Sequence, residues 1–355
     1  MSIPVTEETM DIQTKQSFIE RTLPAGYSSR AGKIEDYRLV FELVNAYGLR
    51  LNGRVDLTDP ELIRLDWENE GFNPQTDIHT VYAPDGQLIG MVECWLTSRP
   101  PVHPWVWVCV HPDHMGRGVW EYLLAWGENR SRVALEMADS NLRVAPRTGT
   151  EHHNQAGVEV ILSQGWTHVR SYYRMEIDLD SAPVVPTLPD GVIIRPFDPA
   201  TETEEVYRCF VDSFRDHFGF VEQPFEHGFK EFKHNLIDEP GYDPRFWFVA
   251  VDGDKIAGIS LCRPVDVEDP ESGWVNELGV RRPCRKRGIA HALLIHSFAA
   301  FYARGQRRAG LGVDATSLTG ALRLYEKAGM HIARQFDQFE KELRPGREIS
   351  TQQVE

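Results

Sequence analysis

The sequence predicts an α/β (α+β) fold of two tandem domains, each with a mixed, mostly antiparallel central sheet flanked by helices. The chain has 355 residues, which is long for one hydrophobic core and suits two domains. Two matched sets of strand, turn and helix signals follow one another along it. The segment "DSAPVVPTLPD" at 180–190 separates the two sets, and its prolines are typical of a linker.

Each set begins with a glycine-led strand that contains an arginine and continues through helical segments into a hairpin. Asp85-Gly86 and Asp252-Gly253 predict the hairpin turns, because these residue types tolerate the backbone of tight strand connections. An apolar strand follows each hairpin and leads into a glycine-rich loop and an amphipathic helix. The opening and the apolar strands lie at 26–32 and 105–110 in the first set and at 191–197 and 274–280 in the second.

The two sets end in segments that align without a gap. "VRSYYRMEIDL" at 169–179 aligns with "ARQFDQFEKEL" at 333–343, so that Tyr172 corresponds to Phe336. The predicted organisation is a flexible N-terminus at 1–20, an N-terminal domain at 21–180, a linker at 181–190, a C-terminal domain at 191–345 and a flexible tail at 346–355.

Composition excludes several classes of protein. The net charge of −15 makes nucleic acid and anionic membranes unfavourable partners. No run approaches the roughly 18–20 apolar residues of a membrane helix, and the N-terminus lacks the apolar core of a secretion signal. The five cysteines are scattered without metal-site spacing, as in reduced cytosolic proteins. We therefore expect a cytoplasmic protein. The sequence leaves open whether it is a monomer or a homodimer.

The loop "RKRGIA" at 285–290 directly follows the second apolar strand and leads into a helix. A glycine-rich turn at a helix N-terminus directs several backbone N–H groups at one point, which suits a phosphate. Arginines and a lysine surround Gly288, and the glycine lets a ligand approach the backbone. The pattern predicts a pyrophosphate site, and a solvated basic turn is the alternative interpretation.

A second signature lies about forty residues downstream, in "GALRLYEKAGM" at 320–330. With this pair of motifs the sequence resembles the GCN5-related N-acetyltransferase (GNAT) family. The family's loop, (Q/R)-x-x-G-x-(G/A), is met by Arg285, Gly288 and Ala290, and its L-Y-E-x-x-G signature by residues 324–329. The order of hairpin, strand, loop and helices also matches.

The resemblance implies acetyl-CoA, or another acyl-CoA, as acyl donor, and we expect no metal. It places the pyrophosphate on the loop amides and the thioester carbonyl on the backbone N–H groups of Leu278 and Val280. The implied donor-binding residues are Leu278, Gly279, Val280, Arg285, Lys286, Arg287, Gly288, Ile289 and Ala290. The histidine-containing stretches at 111–114 and 151–154 lack the paired spacing of a zinc site.

Two side chains are candidates for moving protons. Glu277, on the strand beside the proposed oxyanion donors, can accept the proton of an attacking amine. Tyr325 occupies the position of the family's usual acid and can protonate the leaving thiolate. A solvent-facing carboxylate and a packed aromatic ring are the alternatives. His217 and Phe218 lie where relatives build the acceptor pocket, although core packing and helix capping explain them equally well.

The first copy departs from this pattern. Met115, Trp120, Ile161 and Trp107 stand where the second copy has Arg285, Ala290, Tyr325 and Glu277. A bulky indole at the first helical turn is expected to crowd a phosphate. Asn154 keeps a position that is often Asn in the family, whereas the second copy has Leu318 there. We expect the first copy to be a structural or regulatory domain.

These observations predict an N-acetyltransferase that acts on a primary amine of a small molecule, with its active site in the C-terminal domain. The layout resembles the mycothiol synthase group of the family, whose members acetylate the cysteinyl amine of a pseudodisaccharide thiol precursor. A non-catalytic acyl-CoA-binding module and a protein lysine or N-terminal acetyltransferase are the alternatives. Glu277 and Tyr325 favour an enzyme, since a pure binding module needs neither.

Overall fold

The computed structural model describes residues 22–317 and 320–353, and within them twelve strands form one continuous sheet. The expected N-terminal segment at 1–20 and Leu318 lie outside the described residues. The strands are β1 (Ser28–Ala31), β2 (Ile78–Tyr82), β3 (Leu88–Trp95), β4 (Trp105–Val110), β5 (Arg147–Glu151), β6 (Thr167–Asp178), β7 (Val192–Pro196), β8 (Trp247–Asp252), β9 (Lys255–Arg263), β10 (Ser272–Val280), β11 (Arg308–Asp314) and β12 (His331–Glu340).

Helices cover both faces of this sheet. In each half of the chain, one helix packs on one face and the helix after the glycine-rich loop packs on the other. The helices are α1 (Tyr37–Asn52), α2 (Glu61–Trp67), α3 (Pro74–Asp77), α4 (Val119–Ser131), α5 (Ala134–Met137), α6 (Gln155–Ser163), α7 (Thr203–Phe214), α8 (Phe225–Leu236), α9 (Ile289–Arg304) and α10 (Ala321–Lys327). The mixed, mostly antiparallel sheet with flanking helices confirms the predicted fold class.

Both predicted hairpins are present. Asp85-Gly86 joins β2 to β3 and Asp252-Gly253 joins β8 to β9, and Gly86 and Gly253 have φ of +88° and +64°. A side chain at either glycine would strain the turn, since this backbone region disfavours residues with a Cβ. The apolar strands β4 and β10 come next, and each is antiparallel to its hairpin and parallel to the strand that follows its helix.

The two halves exchange their last strands. The order across the sheet is β1-β2-β3-β4-β5-β12-β6-β11-β10-β9-β8-β7. β12 of the second half therefore pairs with β5 of the first, and β6 of the first half pairs with β11 of the second. Neither half completes its own sheet. The backbone hydrogen bonds of the two exchanged strands, β6 and β12, therefore join the two halves.

The C-terminal tail differs from the expected flexible segment. Residues 344–353 run across the first half, where the Val144 carbonyl accepts from the Arg344 N–H at 3.1 Å. The side chain of Arg344 donates to carbonyl oxygens at the end of α5, and Glu348 contacts His103 at 3.2 Å. The tail is held because its polar side chains and backbone find partners on a neighbouring surface, which composition does not reveal.

The structure also bears on membrane-spanning helices, metal sites and disulfide bonds. No helix among the described residues is long and apolar enough to cross a membrane. Within residues 22–317 and 320–353, no group of three or more His, Cys, Asp or Glu side chains is arranged to hold a metal ion. All five cysteines are free thiols, and four of them are buried.

Candidate active site

The central strand β10 separates from its parallel neighbour halfway along its length. β10 pairs with β11 only from Ser272 to Val275, and a register shift between Val275 and Glu277 marks a bulge at that point. Beyond it, β10 continues to pair with β9 but leaves β11. The separation opens the sheet and exposes one backbone edge of β10 to the space between the two strands.

Leu278 and Val280 direct their backbone N–H groups into this opening. The Arg281 N–H donates to the Ala257 carbonyl on the β9 side at 2.9 Å. Because bonding direction alternates along an antiparallel strand, the N–H groups of 278 and 280 face away from β9. The Val280 carbonyl faces the same way and accepts from the Arg285 Nε at 3.0 Å. In the described part of the chain, the N–H groups of Leu278 and Val280 thus face the opening between β10 and β11 from one strand edge.

The larger of two adjoining cavities, about 630 Å³, lies between this edge and the glycine-rich loop. This volume is within the range typical of small-molecule sites. Gly288 has φ of +84°, and Lys286 adopts a left-handed conformation with φ of +62°. This backbone directs successive N–H groups at the cavity at the start of α9. The predicted donor-site residues that line it are Leu278, Gly279, Val280, Arg285, Lys286, Gly288, Ile289 and Ala290.

The positive charge expected at the loop is mostly neutralised. The carboxylate of Asp216, which is 2% exposed, accepts from both Arg282 and Arg285. This pairing, with Arg282 as the larger contributor, lowers the pKa of Asp216 to about 2. Arg287 lies outside the cavity lining and forms an ion pair with Asp252 at 2.5 Å. Among the described residues Lys286 has no ion pair, so backbone N–H groups supply most of the anion-binding capacity.

The smaller cavity, about 230 Å³, adjoins the larger one further back along β10, and Leu278 lines both. Glu277 and Tyr325 both line it, and Tyr325 also lines the larger cavity. His217 likewise lines both cavities, and Phe218 lines the smaller one. All four side chains singled out in the sequence therefore line the smaller cavity, and His217, Tyr325 and Leu278 line both cavities.

Glu277 and Tyr325 have environments that suit proton transfer. Burial raises the pKa of Glu277 to about 8, because no hydrogen bond or ion pair reaches its carboxylate in the described part of the chain. Burial, followed by the nearby charge of Glu277, raises the pKa of Tyr325 well above its usual value. A carboxylate with a pKa near neutrality can accept a proton, and a tyrosine with a high pKa keeps its proton until a strong base takes it.

His217 and Phe218 lie on the loop that follows α7. The His217 ring packs on Phe214 at 4.3 Å, and burial lowers the pKa of His217. Phe218 lies below the guanidinium groups of Arg170 and Arg147, at 4.4 and 5.3 Å from its ring centroid. Both arginines belong to the first half, which therefore shapes the smaller cavity of the second.

Sequence reasoning missed one wall of the smaller cavity. Tyr172 of β6 lines it, because β6 is inserted beside β11. Asp314 at the end of β11 lies in the same wall and binds Arg170 at 2.7 Å. The aligned segments at 169–179 and 333–343 contained the only signal, but equivalence between the two segments does not indicate which sheet each strand joins.

The first half has the same loop geometry but a filled cleft. Gly116 and Gly118 have φ of +72° and +84°, close to the values at Lys286 and Gly288. Trp120 does not crowd the loop as expected; its indole is 5% exposed and turns into the core between α4 and α6. A Cβ at Gly157 would lie 2.9 Å from the Trp120 ring, which shows how closely α6 approaches the indole.

Asn154 and the other first-half equivalents are packed or hydrogen-bonded within their own half. Asn154 caps α6 and donates to Tyr47 Oη at 3.0 Å and Thr150 Oγ1 at 2.9 Å. Ile161, at the Tyr325 position, is fully buried. Trp107, at the Glu277 position, packs in a separate core cluster. The equivalent space in this half therefore contains packed and hydrogen-bonded side chains.

Comparison with known proteins agrees with this geometry. The model of the acetyltransferase (GNAT) family matches residues 203–330. A GCN5-related N-acetyltransferase from Sphaerobacter thermophilus is 31% identical, with a TM-score of 0.76 over 93% of this chain and 100% of that one. A mycothiol acetyltransferase from Thermobispora bispora is 27% identical over 62% of this chain and 70% of its own length.

Two further matches also cover most of the chain. A mycothiol acetyltransferase from Streptomyces bingchenggensis is 25% identical over 80% of this chain and 86% of its own length. A tandem GNAT protein from the clavulanic acid biosynthesis pathway has a TM-score of 0.62 at 12% identity, over 90% of this chain and 100% of that one. At that identity the likeness concerns the fold alone.

Proposed function

The chain belongs to the GCN5-related N-acetyltransferase family, and we propose that it acetylates a primary amine of a small molecule at the site in its second half. The protein is an N-acetyltransferase with acetyl-CoA as donor, as its family membership shows. One observation carries the finer proposal: where β10 separates from β11, the outward-facing N–H groups of Leu278 and Val280, together with Glu277 and Tyr325, border two adjoining cavities.

The larger cavity is the proposed donor site. Its loop N–H groups at the start of α9 would bind the pyrophosphate, and its strand edge would lie along the pantetheine arm. Acetyl-CoA supplies an activated acetyl thioester. The N–H groups of Leu278 and Val280 would donate to the carbonyl oxygen as negative charge develops on it, and one such donor is worth about 3 kcal/mol in other enzymes.

The smaller cavity is the proposed acceptor site. Glu277 lies on its wall and would take the proton from the attacking amine, directly or through a water molecule. Tyr325 faces both cavities and would protonate the sulfur as the carbon–sulfur bond breaks. In this proposal Glu277 acts as the base and Tyr325 as the acid of the same transfer.

The shape of the smaller cavity supports a small acceptor. It encloses about 230 Å³ and has walls from α7, the following loop, β11 and Tyr172 of the first half. A peptide needs an extended groove, whereas this cavity is bounded on several sides. Two of the relatives are named mycothiol acetyltransferase. The cysteinyl amine of the mycothiol precursor is therefore the first acceptor to test.

The organisation of the chain is part of the same proposal. We assign a degenerate domain to 21–180, a linker to 181–190 and the catalytic domain to 191–345, with β6 and β12 exchanged between them. Packed side chains in the first-half cleft support a structural role for that domain. Five free thiols support a reducing compartment, the cytoplasm.

A thiol-release assay with purified full-length protein and acetyl-CoA tests the proposal. We expect turnover with the cysteinyl amine of the mycothiol precursor or another small primary amine, and none with lysine-containing or N-terminal peptides. Glu277→Gln and Tyr325→Phe should each slow the reaction. Preferential turnover of peptides, or full activity in both variants, would contradict it.

A further inference from the structure

The C-terminal segment, residues 344–352, connects the first half with the loop that borders the smaller cavity. It leaves β12 and pairs with the first half through isolated bridges between Val144 and Arg344 and between Leu142 and Arg347. Glu348 then binds Arg143 at 3.1 Å and His103 at 3.2 Å. Ser350, which is buried, follows directly and leads to Thr351.

Thr351 makes three hydrogen bonds to the loop between α7 and α8. The Gly219 N–H donates to the Thr351 carbonyl at 2.8 Å, and the Thr351 N–H donates to the Phe220 carbonyl at 2.9 Å. The Thr351 hydroxyl donates to the Arg215 carbonyl, also at 2.9 Å. We call residues 215–221 the acceptor loop. One residue of the segment therefore holds this loop at both ends.

The residues between these two attachments face the smaller cavity. His217 and Phe218 lie between Arg215 and Gly219, and both line the cavity that contains Glu277. Gly219 has φ of +80°, and a Cβ there would lie 2.6 Å from the Arg147 guanidinium. The backbone conformation and the close contact explain why a glycine stands at this turn. The loop thus contacts Arg147 and Arg170 of the first half and is hydrogen-bonded to Thr351 of the C-terminal segment.

We propose that Thr351 is a positioning residue for the acceptor: it fixes the acceptor loop so that Phe218 and His217 lie against the bound amine. This inference rests on the proposed function, because it takes the smaller cavity to be the acceptor site. A loop held in its binding conformation loses less conformational entropy when a ligand binds. Release of the loop therefore weakens acceptor binding more than donor binding, because the loop amides and strand edge of the larger cavity are not bonded to the segment. The acceptor loop also reaches the donor side, through Asp216, which pairs with Arg282 and Arg285, and through His217, which lines both cavities, so a smaller effect on donor binding is expected.

Two truncated chains test this role. A chain ending at Ser350 lacks all three Thr351 hydrogen bonds, and a chain ending at Gln352 keeps them and is the matched control. The probes are acetyl-CoA and the best small amine found with the full chain. Hydrogen exchange of peptides spanning 215–221 reports on the loop directly, and calorimetry with acetyl-CoA reports on the donor site.

We expect the chain ending at Ser350 to show faster exchange at 215–221 and a KM for the amine raised roughly tenfold, as for the loss of one or two hydrogen bonds. Its Kd for acetyl-CoA should rise by much less than the amine KM, relative to the chain ending at Gln352, and its melting temperature should fall only slightly, because three hydrogen bonds near the chain end are lost. An unchanged amine KM, or an equal loss of affinity for both substrates, overturns the positioning role. Absence of turnover in the full chain instead overturns the proposed function, and the role with it.

Discussion

Tyr172 and Phe336 lie directly opposite each other on the antiparallel strands β6 and β12, and they are also equivalent residues of the two copies. A local twofold axis therefore passes between them and relates the halves. Because each strand has crossed to the other half's sheet, Tyr172 reaches the wall of the smaller cavity in the second half. The first half thus contributes to the site even though its own cleft is filled.

Glu277→Gln should lower kcat by about 10²–10⁴-fold, because the proposed general base is lost. The pKa of Glu277 is about 8, so in the wild type the carboxylate is mostly protonated below that pH and activity should rise as pH approaches 8. Initial rates across pH 6–9 measure this limb. An amine of low pKa keeps the acceptor's own titration out of the window.

The Glu277→Gln variant should lack that pH dependence. Thermal unfolding at pH 8 is the folding control: the variant should be at least as stable as the wild type, because a buried glutamine carries no charge to desolvate. The same rising limb in both proteins would assign the titration to another group.

Tyr325→Phe should slow turnover within the same range, while acetyl-CoA binds with unchanged affinity. The phenyl ring preserves the packing of a side chain that is 7% exposed, and only the hydroxyl is lost. Burst and steady-state kinetics with calorimetry separate the two effects. Tyr302→Phe, at the far end of α9 and outside both cavities, is the matched control. Equal rates in the wild type and Tyr325→Phe would remove the acid role.

Trp120→Ala should destabilise the protein by about 3–5 kcal/mol, the usual cost of deleting a large buried aromatic side chain. The indole is 5% exposed and fills the cleft between α4 and α6. Denaturant unfolding measures the change. A loss below about 1 kcal/mol would mean that the cleft is not filled by Trp120, and a second acetyl-CoA site in the variant would show that the indole alone blocks binding.

Asp216→Asn should destabilise the protein by about 1–3 kcal/mol at neutral pH, because Arg282 and Arg285 lose a charged partner. The pKa of Asp216 is about 2 in the folded protein and 3.8 is its ordinary value. A lowered pKa stabilises the fold above pH 3.8, and this contribution is lost as pH falls through 2. The difference between variant and wild type should therefore shrink in that window.

Asp252→Asn is the control for Asp216→Asn. Its carboxylate also pairs with an arginine of the loop, Arg287, but both side chains are about one third exposed (36% and 33%), so the ion pair contributes little. Unfolding of both variants from pH 7 to pH 2 makes the comparison. A large effect of Asp252→Asn, or none of Asp216→Asn, would contradict the structural account of the loop.

Local signals predicted the parts of the fold that depend on nearby residues. Asp85-Gly86, Asp252-Gly253 and the loop at 285–290 have the conformations that their residue types favour. The relation of Glu277 to Tyr325 followed from matching motifs about fifty residues apart. These features depend on turn chemistry and on the order of the elements along the chain, and both can be read from a single sequence.

Long-range features could not be predicted in this way. Nothing in the segment at 169–179 shows that β6 lies beside β11 instead of completing its own half. The net charge of the loop depends on Asp216, which is sixty-nine residues from Arg285 in the chain. The direction of the Trp120 side chain and the path of the tail depend on packing partners that lie far away in sequence.

Calorimetric titration of acetyl-CoA into the wild type and Ala290→Trp tests the central claim most directly. Ala290 lines the larger cavity and corresponds to Trp120, so the substitution fills the cavity with a side chain that the fold already accepts in the first half. Ala290→Ser is the control. The account predicts one site per chain in the wild type and in Ala290→Ser, and none in Ala290→Trp. Two sites in the wild type, or one site that survives in Ala290→Trp, would contradict it.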